Sequence, residues 1–571
     1  MPSTRRPGRA HRTWLVVVLA GVVAACSPAG DGDTTAPTAP RGTEMATGSP
    51  PGTSDTSDVD WAPPPCDRPP TEPPEATAVP GSASDLDVTS FDGTPIRAHW
   101  FPHPDATAQD PAGTVLMGPG WSLPGDTDVD AVGLFGAIDI GTLRDAGFNV
   151  LTWDPRGFGE SAGTAMIDSA DVEGRDVQVL LDWVAAQPEV QLDDAGDPRL
   201  GMVGGSYGGG IQFVTAARDC RVDALVPVVA WHSLVTSLYK SEAPKTGWGT
   251  LLVEAGESGS VDPHARSAME HATTQGTISE EDVAWLAERG PGELVDDVEV
   301  PTLIVQGTVD TLFTLDEGVD NYRILRDDGV PVSMLWYCGG HGTCLTDPGD
   351  EERVKDAAVA WLQHWVLDDA TVELGPVVEV LDQHGATYAF DDYPVPTDAE
   401  LSATGAGSLS LIADGGSGPA VPPPDSPDSP DDALRGVVLP FTPGRAEHAV
   451  EVAVPTPADP VLVLGAPMLR LRYSGTSGSS HVYAQIVDET TGLVLGNQVT
   501  PIPVTLDGGV HSVEIPLELV AHTTDPGKHL ILQIVSSTVA YAQVTTDGQI
   551  QFDEISITLP VAAGVTPTGA P

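Results

Sequence analysis

Cations are scarce in this sequence. Against 82 Asp and Glu it carries 26 Lys and Arg, a formal net charge of -56, and lysine is nearly absent. Phosphate backbones are held by clustered cations, so a sequence-independent nucleic-acid binder is excluded, as is recognition of anionic lipid by the folded part. The acidic residues are scattered rather than gathered in one run, which fits a biased genome or a salty habitat as well as any binding role. Cysteine is rare, five in 571 residues. Beyond the N-terminal region no apolar run is long enough to span a bilayer. Hydrophobic residues nonetheless make up 40%, enough for a sizeable core. At roughly 100–200 residues per domain, the length implies two to four domains. With 62 Gly and 53 Pro, long stretches must be loops, tethers or turns between strands.

The N-terminus reads as an address. Arg5, Arg6, Arg9 and Arg12 precede a short apolar run over 14–25, which closes as Val23-Ala24-Ala25-Cys26. Small residues before a cysteine resemble the bacterial lipobox, so residues 1–26 are expected to be a lipoprotein signal with Cys26 as the lipid attachment site. A plain secretory signal is the alternative. Residues 27–82, rich in Pro, Thr, Gly, Ser and Asp, have little to bury and read as a tether. The expected location is extracytoplasmic, anchored to the cell membrane through the lipid alone, or otherwise secreted. In such an oxidising compartment the four remaining cysteines suggest two bridges. Cys338 and Cys344 lie close together in CGGHGTC, and Cys66 with Cys220 is the leftover pair. Four free buried thiols are the alternative.

Residues 83–374 alternate apolar strands with amphipathic helices. Strands are expected at 96–101, 113–117, 149–153, 199–203, 224–229, 302–306 and 332–336, and helices at 171–187, 207–218 and 351–365. That pattern indicates an α/β fold, a mostly parallel sheet covered on both faces. From 375 to 562 the pattern changes to short alternating strands such as LRLRYSG, HVYAQIVDE and HLILQIVSS. This predicts an all-β sandwich domain, followed by a tail at 563–571. Residues 232–298 are expected to be an insertion over the pocket, with Ser279 capping a helix. Trp231, Tyr239, Trp248 and Trp285 in or beside it are candidate pocket walls or ordinary packing.

The pattern G-x-S-x-G occurs at Ser206 and at Ser161. A nucleophile elbow needs an apolar strand running straight into a helix, with small residues two positions either side of the serine. RLGMVG enters Ser206 and GGGIQFVTAAR leaves it, whereas Ser161 sits in a glycine-broken polar loop. A serine hydroxyl needs a base, and the base an orienter, in the chain order Ser, acid, His. The strand PTLIVQG leads into Asp310 and VPVSMLW leads toward His341, both at the carboxyl edge where open α/β sheets place their sites. His232 precedes Asp310 and His364 falls within a helix, so neither fits that order. The oxyanion donors are expected to be the N–H of Tyr207, after the nucleophile, and that of Trp121, in the glycine-rich loop after an earlier strand.

GGSYGGG, WDPRGFGES, PTLIVQGTVDTLF and the glycine-flanked His341 resemble the X-Pro dipeptidyl-peptidases and cocaine-esterase-like hydrolases. The resemblance covers roughly 86–559. It implies an α/β-hydrolase core, a helical lid, a C-terminal jelly roll, and Ser206, Asp310 and His341 as triad. It also raises a second role for Tyr207, a hydroxyl donated to the oxyanion. Many relatives have His-Gly at the oxyanion loop, where this chain has Pro119-Gly120. The expected activity is that of an exported, lipid-anchored serine hydrolase acting through an acyl-enzyme on a small-molecule or peptide substrate. An ester or acylase substrate is preferred. The alternatives are an X-Pro-type dipeptidyl-peptidase, for which Glu254 and Glu257 are available to hold a free amine, and an inactive ligand-binding lipoprotein. No cofactor and no metal are called for, no nucleic acid is expected as a partner, and the oligomeric state carries no sequence signal.

Overall fold

The computed structural model describes residues 84–130, 138–350, 352–424, 432–542 and 547–565, with 64, 66, 71–74 and 426 besides. The signal, Cys26 and the body of the tether lie outside the described residues.

Ten strands build one large sheet: β1 Ser84–Thr89, β2 Pro95–Phe101, β3 Thr114–Gly118, β4 Asn149–Trp153, β5 Leu200–Gly205, β6 Ala224–Val228, β7 Thr302–Gly307, β8 Val332–Tyr337, β9 Val378–Leu381 and β10 Thr387–Phe390. Their spatial order is β1-β2-β4-β3-β5-β6-β7-β8-β9-β10. The strands β3 to β9 run parallel, while β1, β2 and β10 are attached antiparallel at the two edges. β3, β4, β6 and β7 are buried at every residue, as a sheet covered on both faces requires. Helices Glu173–Ala185, Tyr207–Ala216, Leu315–Asp327 and Arg353–Val366 bury apolar stripes against the sheet. This is the α/β-hydrolase core. It runs past the expected boundary at 374, because β9 and β10 extend the sheet. Both strands are four residues long, too short for their periodicity to assign them to one domain or the other.

Between β6 and β7 the chain leaves the sheet for helices Leu234–Leu238, Thr246–Gly256, Pro263–Gln275 and Glu280–Ala287. Ser279 caps the last of these, its side chain accepting from Asp282 N. After β10 come two antiparallel sheets. One holds Thr397–Ser410, Val461–Gly465, Met468–Thr476, Asp507–Pro516, Val520–Thr524 and Gln549–Ala562; the other holds Val450–Val454, His481–Asp488, Thr500–Pro503 and Leu530–Val535. Their facing residues, among them Leu469, Leu471, Val482, Leu532, Phe552 and Ile555, make a core of their own. That is the expected β-sandwich. It is packed onto the hydrolase part: Leu462, Leu464, Leu519 and Ala521 join one apolar cluster with Trp336, Val378 and Tyr388. Lys240, from the insertion, donates to Glu518 Oε2 at 2.6 Å and to Asp316 Oδ2 at 3.1 Å, an ion-paired tie between the two parts.

Among the described residues two disulfides are present, Cys66–Cys220 and Cys338–Cys344. No helix among the described residues is long and apolar enough to cross a membrane.

Candidate active site

The centre of the site is the turn from β5 into helix Tyr207–Ala216. Ser206 takes φ 57° and ψ -114°, a region that a side chain enters only when its surroundings impose it. The flanking glycines explain how. A Cβ on Gly204 or Gly208 would press into the backbone carbonyl of Gly118 at the end of β3. Bare glycine lets β3 close on the turn and hold the serine upright. The Ser206 N–H donates to Val228 O at 2.8 Å, tying the elbow to β6.

The structure brings Ser206, Asp310 and His341 together from the ends of β5, β7 and β8. Ser206 Oγ lies 2.8 Å from His341 Nε2, and His341 Nδ1 lies 2.7 Å from Asp310 Oδ2. All three are buried, Asp310 completely. Asp310 is held on every side. Its Oδ2 also accepts from His341 N at 2.9 Å, and its Oδ1 accepts from Leu312 N at 2.9 Å and Phe313 N at 2.8 Å. With both oxygens occupied by donors, the carboxylate can only accept from His341 Nδ1–H. That tautomer leaves Nε2 with its lone pair toward the serine. The Phe313 and Trp248 rings meet the imidazole edge-on at 5.0 and 5.6 Å, and the Cys338–Cys344 bridge closes the loop that carries it. Such a chain can move a proton off the hydroxyl as it attacks a carbonyl.

The second serine has a different fate. Ser161 Oγ donates to Asp154 O at 2.7 Å and accepts from Arg97 N at 2.8 Å, a loop fastening with no imidazole. His232 Nδ1 pairs with Asn321 Oδ1 at 2.8 Å, and His364 Nδ1 with Val372 O at 3.2 Å.

Trp121 follows β3 and lines the same cavity as Ser206 and Tyr207. Its indole N–H donates to Leu252 O at 2.9 Å, and its ring meets Tyr207 edge-on at 5.2 Å. Tyr207 opens the helix, where the first N–H groups have no intrahelical acceptor. Its hydroxyl turns away: it donates to Glu173 Oε1 and accepts from Asp168 N, each at 3.4 Å. The backbone N–H, not the hydroxyl, is therefore the part of Tyr207 left for an oxyanion. Behind it, burial, with Glu173 adding to it, pushes the Asp168 carboxyl well above the usual carboxylate range, and burial pushes Glu173 up to about 7.

A cavity of about 640 Å³ opens over Ser206. Its walls are mostly apolar and come largely from the insertion: Trp231, Leu234, Leu238, Leu252, Met269 and Leu286, with Phe313 from the loop after Asp310. Of the nominated walls, Trp231 lines the cavity, whereas Tyr239, Trp248 and Trp285 do not; Trp285 instead stacks on His264 at 5.2 Å. Glu257 reaches the rim, where Arg266 pairs with it at 2.9 Å, and Glu254 is not part of the lining. Lys245 is buried in the same wall and donates to Leu312 O at 3.0 Å; burial lowers its pKa to about 8.

Sequence reasoning expects the β domain to pack on the core and shape the cleft, but it names none of the residues through which that domain reaches the triad loops. Gln498 Nε2 donates to the backbone carbonyl of Asp310 at 2.6 Å, Asn497 Nδ2 donates to Thr343 O at 3.1 Å, and Phe441 packs on Trp248 with ring centroids 5.1 Å apart. Gln498 lies 188 positions from Asp310 and Asn497 154 from Thr343, Phe441 ends a single 3-10 turn, and no local motif marks them.

Residues 92–343 match the family profile of the X-Pro dipeptidyl-peptidases, S15. Over that stretch, which holds Ser206, Asp310 and His341, the chain is similar to the hydrolase domain of this family. The α/β core and the β domain together resemble an aminopeptidase from a marine-sediment thaumarchaeon (TM-score 0.61, 15% identity, 90% of this chain and 100% of that one). They also resemble an α-amino acid ester hydrolase (TM-score 0.59, 14% identity, 84% and 96%) and a CocE/NonD family hydrolase from Staphylococcus aureus (TM-score 0.56, 12% identity, 84% and 94%). At these identities the likeness is one of fold. Among curated proteins, an uncharacterized 31.7 kDa Escherichia coli protein is 34% identical over 89 residues. Those residues are 16% of this chain and 29% of that relative's length.

Proposed function

We propose that this S15-type hydrolase is exported, held at the membrane by a lipid on Cys26, and cleaves esters or acyl amides with a sizeable apolar group. The reading rests on one observation, the unbroken hydrogen-bond chain from Ser206 through His341 to Asp310 at the floor of an apolar cavity. Ser206 Oγ attacks the substrate carbonyl while His341 Nε2 takes its proton. Asp310 stabilises the imidazolium and keeps its orientation. The oxyanion of the tetrahedral intermediate is held by the N–H groups of Tyr207 and Trp121, and loss of one such donor typically costs about 3 kcal/mol in barrier. His341 then gives the proton to the leaving oxygen or nitrogen. Water, activated by the same imidazole, hydrolyses the acyl-enzyme and restores Ser206.

The apolar lining favours the ester or acylase reading over an aminopeptidase. A free α-amine needs a carboxylate to itself, and Glu257 at the rim is engaged by Arg266. Two disulfides and an N-terminal run ending in Val23-Ala24-Ala25-Cys26 support the exported, anchored reading. A fluorophosphonate should label the wild-type chain at Ser206 and leave Ser206→Ala unlabelled; an unlabelled wild type would make the protein a binding module. A panel of acyl esters set against X-Pro anilides tests the substrate, and turnover of the anilides alone would reverse the ester preference. Metabolic labelling with an alkyne fatty acid should mark the wild type and not Cys26→Ala.

A further inference from the structure

Far from the triad in sequence, three potential metal ligands meet where the hydrolase sheet touches the β domain. His384 sits in the turn between β9 and β10, Asp488 at the end of strand His481–Asp488, and His522 within strand Val520–Thr524. Asp488 and His522 are 1% and 3% exposed. The atoms that the three residues offer lie within 4.8 Å of one another, and the two imidazole rings meet edge-on at 4.9 Å. His384 Nε2, Asp488 Oδ2 and both ring nitrogens of His522 have no hydrogen-bond partner.

Buried polar atoms are nearly always paired, so three side chains that each bring an unpaired atom to one place ask for a guest. The void between them is about 10 Å³, room for a single atom-sized occupant and for no organic ligand. Two imidazoles and one carboxylate form a nitrogen-rich set. Calcium and magnesium prefer all-oxygen cages, while zinc takes two histidines and a carboxylate readily. Tetrahedral zinc with bonds of about 2.1 Å places its ligand atoms about 3.4 Å apart, so side-chain movements of roughly 1 Å would close the site. Asp488 is already oriented, its Oδ1 accepting from Thr490 N at 2.8 Å.

We propose that His384, Asp488 and His522 bind one divalent transition-metal ion, Zn²⁺ in preference, as a clip between the hydrolase sheet and the β domain. The clip lies next to the supports of the triad. Gln383, adjacent to His384, accepts through Oε1 from Gly496 N at 2.8 Å and through its backbone carbonyl from the Thr346 hydroxyl, just beyond the loop that carries His341. The ion is structural. It touches no substrate, and its loss would loosen the arm that steadies Asp310 and Thr343.

The test uses the purified full chain, stripped with dipicolinate and then titrated with Zn²⁺ or Co²⁺. One equivalent should bind, with a tetrahedral Co²⁺ spectrum and a higher melting midpoint. His384→Ala, Asp488→Asn and His522→Gln should each weaken binding at least tenfold and abolish the melting shift. His384 is the most exposed of the three, so its variant keeps the test open if the buried ones fail to fold. A stripped chain that takes up neither ion, or a His384→Ala chain that binds and melts like wild type, would overturn the proposal. Fluorophosphonate labelling reports separately on Ser206, so a failed metal site leaves the catalytic reading standing.

Discussion

Asp310→Asn is the substitution that tests the site most directly. Asp310 accepts four hydrogen bonds and donates none: two from backbone N–H groups at Oδ1, and one backbone N–H plus the imidazole at Oδ2. An asparagine must put its NH₂ at one end. Facing Leu312 and Phe313, it would leave two buried donors unpaired, at about 1–3 kcal/mol each. Facing His341, it leaves only the His341 N–H unpaired, and it donates to Nδ1. The second arrangement is the cheaper, and it reverses the tautomer. The proton then sits on Nε2, opposite the Ser206 hydroxyl, and no lone pair remains to take the serine proton. In the triad mechanism this change of tautomer costs about 10⁴ in kcat, equivalent to about 5.5 kcal/mol of barrier, while the fold loses only about 1–3 kcal/mol. The expected outcome is a folded protein, slightly less stable by differential scanning calorimetry, whose rate of fluorophosphonate labelling falls by about four orders of magnitude. A variant that labels within tenfold of the wild type would show that Asp310 does not set the state of His341. A variant that unfolds outright would show that the amide chose the costlier end.

Three further perturbations separate stability from activity. Cys66–Cys220 spans 154 residues and Cys338–Cys344 spans six, so loop entropy assigns about 5 and about 2 kcal/mol to them. The double serine variant of the first pair should lower the urea midpoint more, and that of the second should lower kcat more, since it frees the loop of His341; the reverse order would refute this. Asp168 carries two buried oxygens with no hydrogen-bond partner, and its pKa is raised in the fold. A carboxyl whose folded pKa is raised contributes stability that is fully present below its unfolded value and lost as pH rises through the folded one. Asp168→Asn should therefore gain on wild type in urea midpoint between pH 5 and pH 8, and parallel profiles would contradict the shift. Glu173, raised from 4.5 to about 7, imposes the same sign on both proteins, worth about 3 kcal/mol over that interval. Leu252→Trp fills part of the apolar cavity and should cut turnover of long-chain acyl esters while sparing short ones; an unchanged chain-length profile would place the substrate elsewhere.

The parts of the site that could be read in the sequence are those where a local constraint dictates residue type. The elbow was legible because the approach of Gly118 to Gly204 and Gly208 leaves no room for a side chain, and that demand is written as G-x-S-x-G. Asp310 and His341 were legible because each follows an apolar strand in the chain order the mechanism needs. The edge of the sheet was less so: β9 and β10 are four residues each, and only the pairing of β9 with β8 and of β10 with β9 assigns them to the core. The cavity walls were least legible of all. Leu252 and Met269 differ from any other helical apolar residue only in what they face, whereas Trp248 and Trp285, for which the sequence offers either a wall or ordinary packing, take the packing role against His341, Phe441 and His264.

The larger omission is how the β domain grips the triad loops, and its physics explains both why that grip is present and why the sequence hides it. Asp310 sits on a loop, and a loop carrying a buried carboxylate needs its own backbone satisfied. The Asp310 carbonyl finds its donor in Gln498, 188 positions away, and Thr343, beyond His341, finds one in Asn497. Both donors stand beside Gly496, whose N–H is taken by Gln383 from the turn that holds His384. A single strap from the sandwich thus fixes the acid loop and the base loop relative to each other. A catalytic hydrogen bond of 2.7 Å tolerates little misalignment, and two separate loops would drift independently without that strap. In the proposed mechanism the second domain therefore positions the acid and the base without contributing a reacting atom.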